Sequence, residues 1–439
     1  MLGSRSVARV AESIDEVDRF IAELDEWFTA AAGVDALGQY TTQLATLSEV
    51  VRPALERNRE FLSGIATGRD PGEVYDECRR ADRRTVFVRR LWRWFAVRFD
   101  QRRQPHLEDV LRAADQVVWS CWAQTWQLTG AGKPGPAPLP YLDPQVSAST
   151  TPRVDMPHDL LAVRDSVLAG QVRAMPVPVI ALPERVAWRP WWLVLLAHET
   201  GHQVQFELSP GGAEPARDRV AAAAAEAGAG PDEVLRWETW SVEMFADAYA
   251  AVMVGPAISW AVGELELRAG DGQLRSPAPG YPPPLVRLAL LAAVTGEPAE
   301  EPTPAAAGVA GLLARVPRVA AALLTVPVGQ QSLAVAAAKA AAWRQASAVW
   351  RRQLTAPAEP RPSATVEAAR LCVAGAVAAW RDGTGEKDAD LLRRRLLATL
   401  PGCGPDGVRA ADAPAPRTVR DAARSMTDVL FSPLVEEEP

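Results

Sequence analysis

The sequence predicts a mainly helical protein with one small β-sheet, an α+β fold, and three observations carry that prediction. Apolar residues recur at three-to-four spacing, as at Val17, Phe20, Ile21, Leu24, Trp27 and Phe28. One run, Met175 to Leu182 (MPVPVIAL), has the β-branched content of a strand, but Pro176 and Pro178 cannot donate to a ladder and confine it to a sheet edge. Proline and glycine cut the rest into helix-length pieces. The 439 residues, 48% hydrophobic and 23% charged, allow two or three domains with buried cores and exclude a disordered chain.

Taken in order, residues 1–130 read as an N-terminal helical region and residues 131–174 as a Pro/Gly-rich linker or loop. A core region, 175–300, follows. Within it Pro190, lacking the N–H that a first turn leaves orphaned, starts a helix to about Glu207. An Ala-rich helix reaches about Ala229, Pro231 begins a longer one through about Leu265, and Pro282 starts another. Residues 301–439 form an Ala-rich C-terminal helical region with a helical hairpin between Ser363 and Leu400.

Charge and cysteine usage narrow the function classes. The net charge of −7 argues against bulk nucleic-acid binding. Cys78, Cys121, Cys372 and Cys403 have no ligand spacing, which fits a reducing, cytoplasmic setting. The opening residues carry charges every few positions and no secretory signal is visible. The longest uncharged stretch, Val319 to Ala338, is interrupted by Pro327, Gly329, Gln330, Gln331 and Ser332, so no membrane span is expected. Ten arginines lie between Arg79 and Arg103 among aromatic residues, but Val88, Trp92, Phe95 and Phe99 share one helix face. That is the pattern of a core helix with a solvated charged side rather than a nucleic-acid platform.

The chemistry concentrates in His198-Glu199-Thr200-Gly201-His202. Residues four apart share a helix face, so both imidazoles can bind one zinc ion while Glu199 lies beside its water as general base. A catalytic zinc usually takes a third protein ligand and leaves a fourth position open. Gln205 and Leu208 stand where an extended metzincin motif needs Gly and His, and Glu207 cannot wrap back from the same helix. On the following long helix, Glu243 and Asp247 are four apart in an apolar sequence where unpaired acids are costly. Glu243 as third ligand and Asp247 as acceptor for a ligand histidine's free N–H gives both a partner. Glu238 competes as third ligand, and His106 and His158 are distant alternatives. Trp188, Trp191, Trp192, Trp237 and Trp240 flank the two helices and read as packing between them.

These residues carry a resemblance. HExxH followed by ExxxD resembles the gluzincin metallopeptidases, and Glu243 to Ala250 (EMFADAYA) looks like the ExxADxxA segment of the heat-shock membrane protease and CAAX-processing protease family. Tyr281 to Leu288 (YPPPLVRL) resembles that family's downstream HPPxxxRI segment. The three motifs occur in family order over about residues 175 to 290. The resemblance implies a zincin-like metallopeptidase core flanked by helical regions, with Zn²⁺ as cofactor. Tyr281 replaces the family's histidine, and its hydroxyl can serve the same oxyanion-stabilising role. The family's transmembrane helices have no counterpart, so membrane or prenylated substrates are not implied. Arg287 either supports the site by analogy or is a structural ion-pair residue.

The sequence therefore predicts a zinc metallopeptidase of peptide or protein substrates, with His198, His202 and Glu243 on the metal, Asp247 behind them, and Glu199, Tyr281 and Arg287 as the catalytic set. The edge strand near Val177 to Leu182 would bind substrate backbone by strand addition. A second expectation, from the Tyr281 departure and the large flanking helical regions, is a catalytically inactive zincin-fold interaction or regulatory protein that retains metal and engages a protein partner through those regions.

Overall fold

Proline and side-chain caps set where the helices begin. Pro71, Pro231 and Pro284 occupy first-turn positions, and the Asp70 carboxylate accepts from the backbone N–H of Gly72 (2.9 Å) and Glu73 (3.3 Å). A computed structural model describes residues 2–131, 134–143, 166–266, 280–297, 308–383, 388–405, 416–432 and 435. It is mainly α with a small β component, and its chain contacts divide into two units.

The first unit comprises Met1–Pro105, His158–Pro178 and Arg409–Pro439. Helices Leu2–Ala32, Thr41–Ser63 and Pro71–Asp100 pack on one another, Ser166–Ala174 packs on the third and Pro416–Leu430 on the second. Val88, Trp92, Phe95 and Phe99 are buried as the sequence pattern requires, with Trp92 in ring contact with Phe20 at 5.7 Å. The arginines of the same helix are mostly on its outer side, where Arg93 is 4.0 Å from Glu23. Arg84 is an exception, buried with its guanidinium 4.6 Å from the Phe61 ring and 4.0 Å from Phe431.

The second unit comprises His106–Pro157 and Val179–Val408. Here the chain order of the sequence reading gives way to packing, because most of helix Pro105–Thr129 joins the HExxH region rather than the N-terminal helices. Val179–Pro183 is a strand, and Pro176 and Pro178 stand before it rather than within it. It pairs in parallel with Leu139–Asp143, from Leu139 opposite Val179 to Asp143 opposite Pro183, so the stretch read as linker or loop contains its partner. The pair packs beside the HExxH helix through Val179–Pro183.

Three helix boundaries differ from the sequence reading, each for a local reason. Pro190–Leu195 is a 3-10 turn that leads into the α-helix Leu196–Leu208. The long helix ends at Val254, because Gly255 adopts φ +60°, which side-chain-bearing residues avoid, and Ala257–Glu266 is a separate helix. The helix of the YPPP segment starts at Pro284, since each proline biases the residue before it away from helix. The uncharged stretch near Val319 is broken, as its sequence requires, by a two-residue hairpin pairing Pro327–Val328 with Gln331–Ser332. Ala368–Arg381 and Ala389–Thr399 realise the C-terminal hairpin, although the first packs mainly on Ala340–Thr355. Among the described residues no helix is long and apolar enough to cross a membrane, and all four cysteines are buried and unbridged.

Candidate metal centre

The site forms where helix Leu196–Leu208 crosses helix Pro231–Val254, and Gly201 sets how closely they approach. A Cβ there would stand 3.0 Å from Ala246 Cα and 3.0 Å from Tyr249 Cδ1, so only glycine fits without a shift. Tyr249 is fixed in turn, its hydroxyl 2.8 Å from Thr125 Oγ1 and donating to the Cys121 carbonyl at 3.0 Å on helix Pro105–Thr129. Three helices thus fix the spacing of the side chains that follow.

At the crossing, His198, His202 and Glu243 converge, and all three are buried. His198 Nε2 and His202 Nε2 are 3.2 Å apart, and the Glu243 oxygens lie 3.4 Å from the first and 3.5 Å from the second. Ligands about 2.1 Å from a tetrahedral ion are separated from one another by about 3.4 Å. The donor set and its spacing therefore fit a zinc-sized ion. Glu243 Oε2 is buried with only the long 3.4 Å approach to His198 Nε2, a contact that a cation at the centre would replace with a shorter bond.

Behind the three ligands lies a relay of alternating charge. His198 Nδ1 is 2.9 Å from Asp247 Oδ1, the arrangement that fixes a ligand histidine's tautomer. Arg287 grips Asp247 with two bonds of 2.9 Å, Nε to Oδ2 and Nη2 to Oδ1, and donates from Nη1 to Glu266 Oε1 at 2.7 Å. Asp247 is 0% exposed and Arg287 only 7%, so this pair is internal and not a surface ion pair. The Tyr281 ring centroid is 5.6 Å from the Arg287 guanidinium carbon.

Protonation follows from this charge order. Burial opposes charge on His198, but Asp247 and Glu243 outweigh it and push its pKa up to about 10. Burial lowers His202 to about 4, and the neighbouring His198 adds to that depression. Burial works against the Asp247 carboxylate, yet Arg287 and His198 hold it well below the ordinary range, and Glu243 is lowered by His202 and His198 against the same cost. Burial opposes charge on Arg287 as well, but Asp247 raises it above its ordinary value. In this charge order His198 is the imidazole that favours a proton and His202 the one that does not, both beside the Glu243 carboxylate.

The remaining candidates fall as follows. Glu199 is half-buried, less enclosed than the ligands on its own helix. Glu238 is half-buried five residues before Glu243 and outside the convergent group. His106 and Glu207 are exposed, and His158 lies outside the described residues. Trp191 stacks on Trp380 at 4.3 Å and Trp192 packs on Trp260 at 4.9 Å, so these rings secure the approach to the HExxH helix against later helices rather than against Pro231–Val254. Trp188 is 70% exposed and Trp237 and Trp240 pack on each other. Glu266 and Gly201 complete the site without having been singled out by the sequence. Glu266 had no periodic signal, whereas the glycine inside HExxH was itself a cue to close helix approach. Comparison with protein-family models, with curated proteins and with solved structures returns no match for this chain.

Proposed function

We propose that the chain is a zinc-dependent metallopeptidase. The observation that carries this reading is the convergence of three buried donors at tetrahedral ligand spacing, with Glu199 one position from the first of them. Zinc held by His198, His202 and Glu243 would supply a Lewis acid and an acidified water. Asp247 keeps the Nδ1 proton of His198, so its Nε2 lone pair faces the ligand point, and Arg287 holds Asp247 in place for that task. Glu199 takes the proton of the attacking water on its carboxylate and returns it to the leaving amine. Tyr281, beside Arg287, is the candidate hydroxyl donor to the developing oxyanion.

The strand Val179–Pro183, which lies beside the HExxH helix, is the element assigned to substrate backbone in this reading. The test is cleavage of a proteome-derived peptide library by zinc-loaded protein. Glu199→Gln is expected to retain zinc and lose cleavage by at least ~10²-fold. Wild-type rates in that variant, or no cleavage by the zinc-loaded wild type, would overturn the peptidase reading.

A further inference from the structure

Beyond the far end of the Glu243 helix the second unit contains a crevice of about 230 Å³, between Val252–Ala257 on one side and helices Ala340–Thr355 and Ala368–Arg381 on the other. Its interior is apolar, formed by Val252, Pro256, Trp343, Leu371, Ala374 and Val377. Its mouth is not. Arg344, Ser347 and Arg351 follow one another at three- and four-residue steps, so one face of their helix presents cation, hydroxyl and cation along the opening, and Arg381 adds a third guanidinium.

Two features make this a formed site rather than loose packing. Gly375 lets the two helices touch, since a Cβ there would be 2.7 Å from Arg351 N and 2.8 Å from the Ser347 carbonyl oxygen. The crevice wall is therefore fixed by backbone contact. Behind Trp343, which lines the crevice, lies Arg370, its guanidinium 4.2 Å from the Trp343 ring centroid. Arg370 is 0% exposed, and none of its side-chain nitrogens has a hydrogen-bond partner among the described residues. Burial lowers the Arg370 pKa and Glu367 offsets part of its charge, so the guanidinium adds only a modest positive potential behind the wall.

The mouth also carries acids. Arg351 is paired with Asp382, and Glu297 lines the opening, leaving three guanidiniums against two carboxylates before Arg370 is considered. Arg344 donates from Nη1 to the Thr295 carbonyl at 3.2 Å, which orients its guanidinium and leaves further N–H groups available.

We propose that this crevice binds a small amphipathic anion, with an apolar body on Trp343, Leu371 and Val377 and a carboxylate, sulfate or phosphate group among Arg344, Arg351 and Arg381. The chemistry is the usual one for small-molecule sites, an apolar enclosure with a few converging polar groups that fix orientation. It is independent of the metal centre and stands whether or not the protein is a peptidase.

Calorimetric titration of the full chain with octanoate, octyl sulfate and octan-1-ol tests it. The two anions are expected to bind saturably at one site, and the neutral alcohol at least ~10-fold more weakly. Arg344→Gln combined with Arg381→Gln changes only exposed rim residues and should weaken both anions ~10-fold or more while leaving octan-1-ol unchanged. Ala374→Leu, which fills the interior, should abolish binding of all three. Should that variant fail to fold, Ser347→Leu at the mouth is expected to have the same effect. Equal binding of octanol and octanoate, anion binding unaltered by the arginine pair, or no saturation below about 5 mM would overturn the proposal.

Discussion

Arginine, acid and aromatic residues are used in opposite ways by helix Pro71–Asp100 and by the centre built on Leu196–Leu208 and Pro231–Val254. On the first, a buried row of Val88, Trp92, Phe95 and Phe99 faces the core while most charges lie outward in pairs such as Arg93 with Glu23. At the second the charges lie inside and the order is chemical, from imidazole to Asp247 to Arg287, ending at the half-buried Glu266. Exposed pairs contribute little because water and salt screen them. A buried alternating row is held by its own completeness, since removing one member leaves its neighbours charged and unpaired.

The largest effect should come from breaking that row. Asp247→Ala leaves Arg287 and His198 without their shared counter-charge, and is expected to cost about 3–5 kcal/mol in denaturant unfolding. The milder Asp247→Asn should weaken zinc binding ~10–100-fold in a chelator competition. A loss below about 1 kcal/mol for the alanine variant would mean the row is not internal as described. Next in size, Gly201→Ala forces a Cβ against Ala246 Cα and the Tyr249 ring, and overpacking of this kind costs about 1–3 kcal/mol. Its effect should appear both in stability and in zinc affinity, because the same helix spacing sets both.

Protonation gives a finer test. In the metal-free protein at pH 7, His198, raised to about 10, carries a proton and His202, lowered to about 4, does not. Zinc binding requires both Nε2 lone pairs, so about one proton should be released per ion, and affinity should fall about tenfold for each pH unit lowered near neutrality. Calorimetry in buffers of different ionisation enthalpy reads this number directly, and a release near zero would contradict the charge order. For stability without metal, the His198 contribution is fully present below 6.5 and lost as pH rises through about 10. The His202 contribution is present above 6.5 and lost as pH falls through about 4. A metal-free melting temperature highest near pH 6.5 is the expected outcome. The smallest effect belongs to the other region, where Arg93→Gln should leave the melting temperature unchanged within error.

Much of the centre was legible because its parts repeat at the helical period. His198 and His202, and Glu243 and Asp247, are each four apart, and a helix puts such pairs on one face whatever surrounds it. Arg287 was legible only as a choice between surface and site, since burial is a property of the whole fold and not of the YPPPLVRL segment. The parallel pairing of Leu139–Asp143 with Val179–Pro183 was not legible, because nothing in either strand specifies a partner some forty residues away. The packing of Pro416–Leu430 on Thr41–Ser63 escaped for the same reason, an amphipathic helix declaring that it has a partner but not which one.

Zinc K-edge X-ray absorption of the zinc-loaded protein reads the ligands of the centre directly. Two imidazole nitrogens and one carboxylate oxygen at about 2.0–2.2 Å, with the imidazole signal reduced in His202→Ala, is the result expected from the convergence of His198, His202 and Glu243. A shell without imidazole nitrogens, or a spectrum unchanged in His202→Ala, would contradict it.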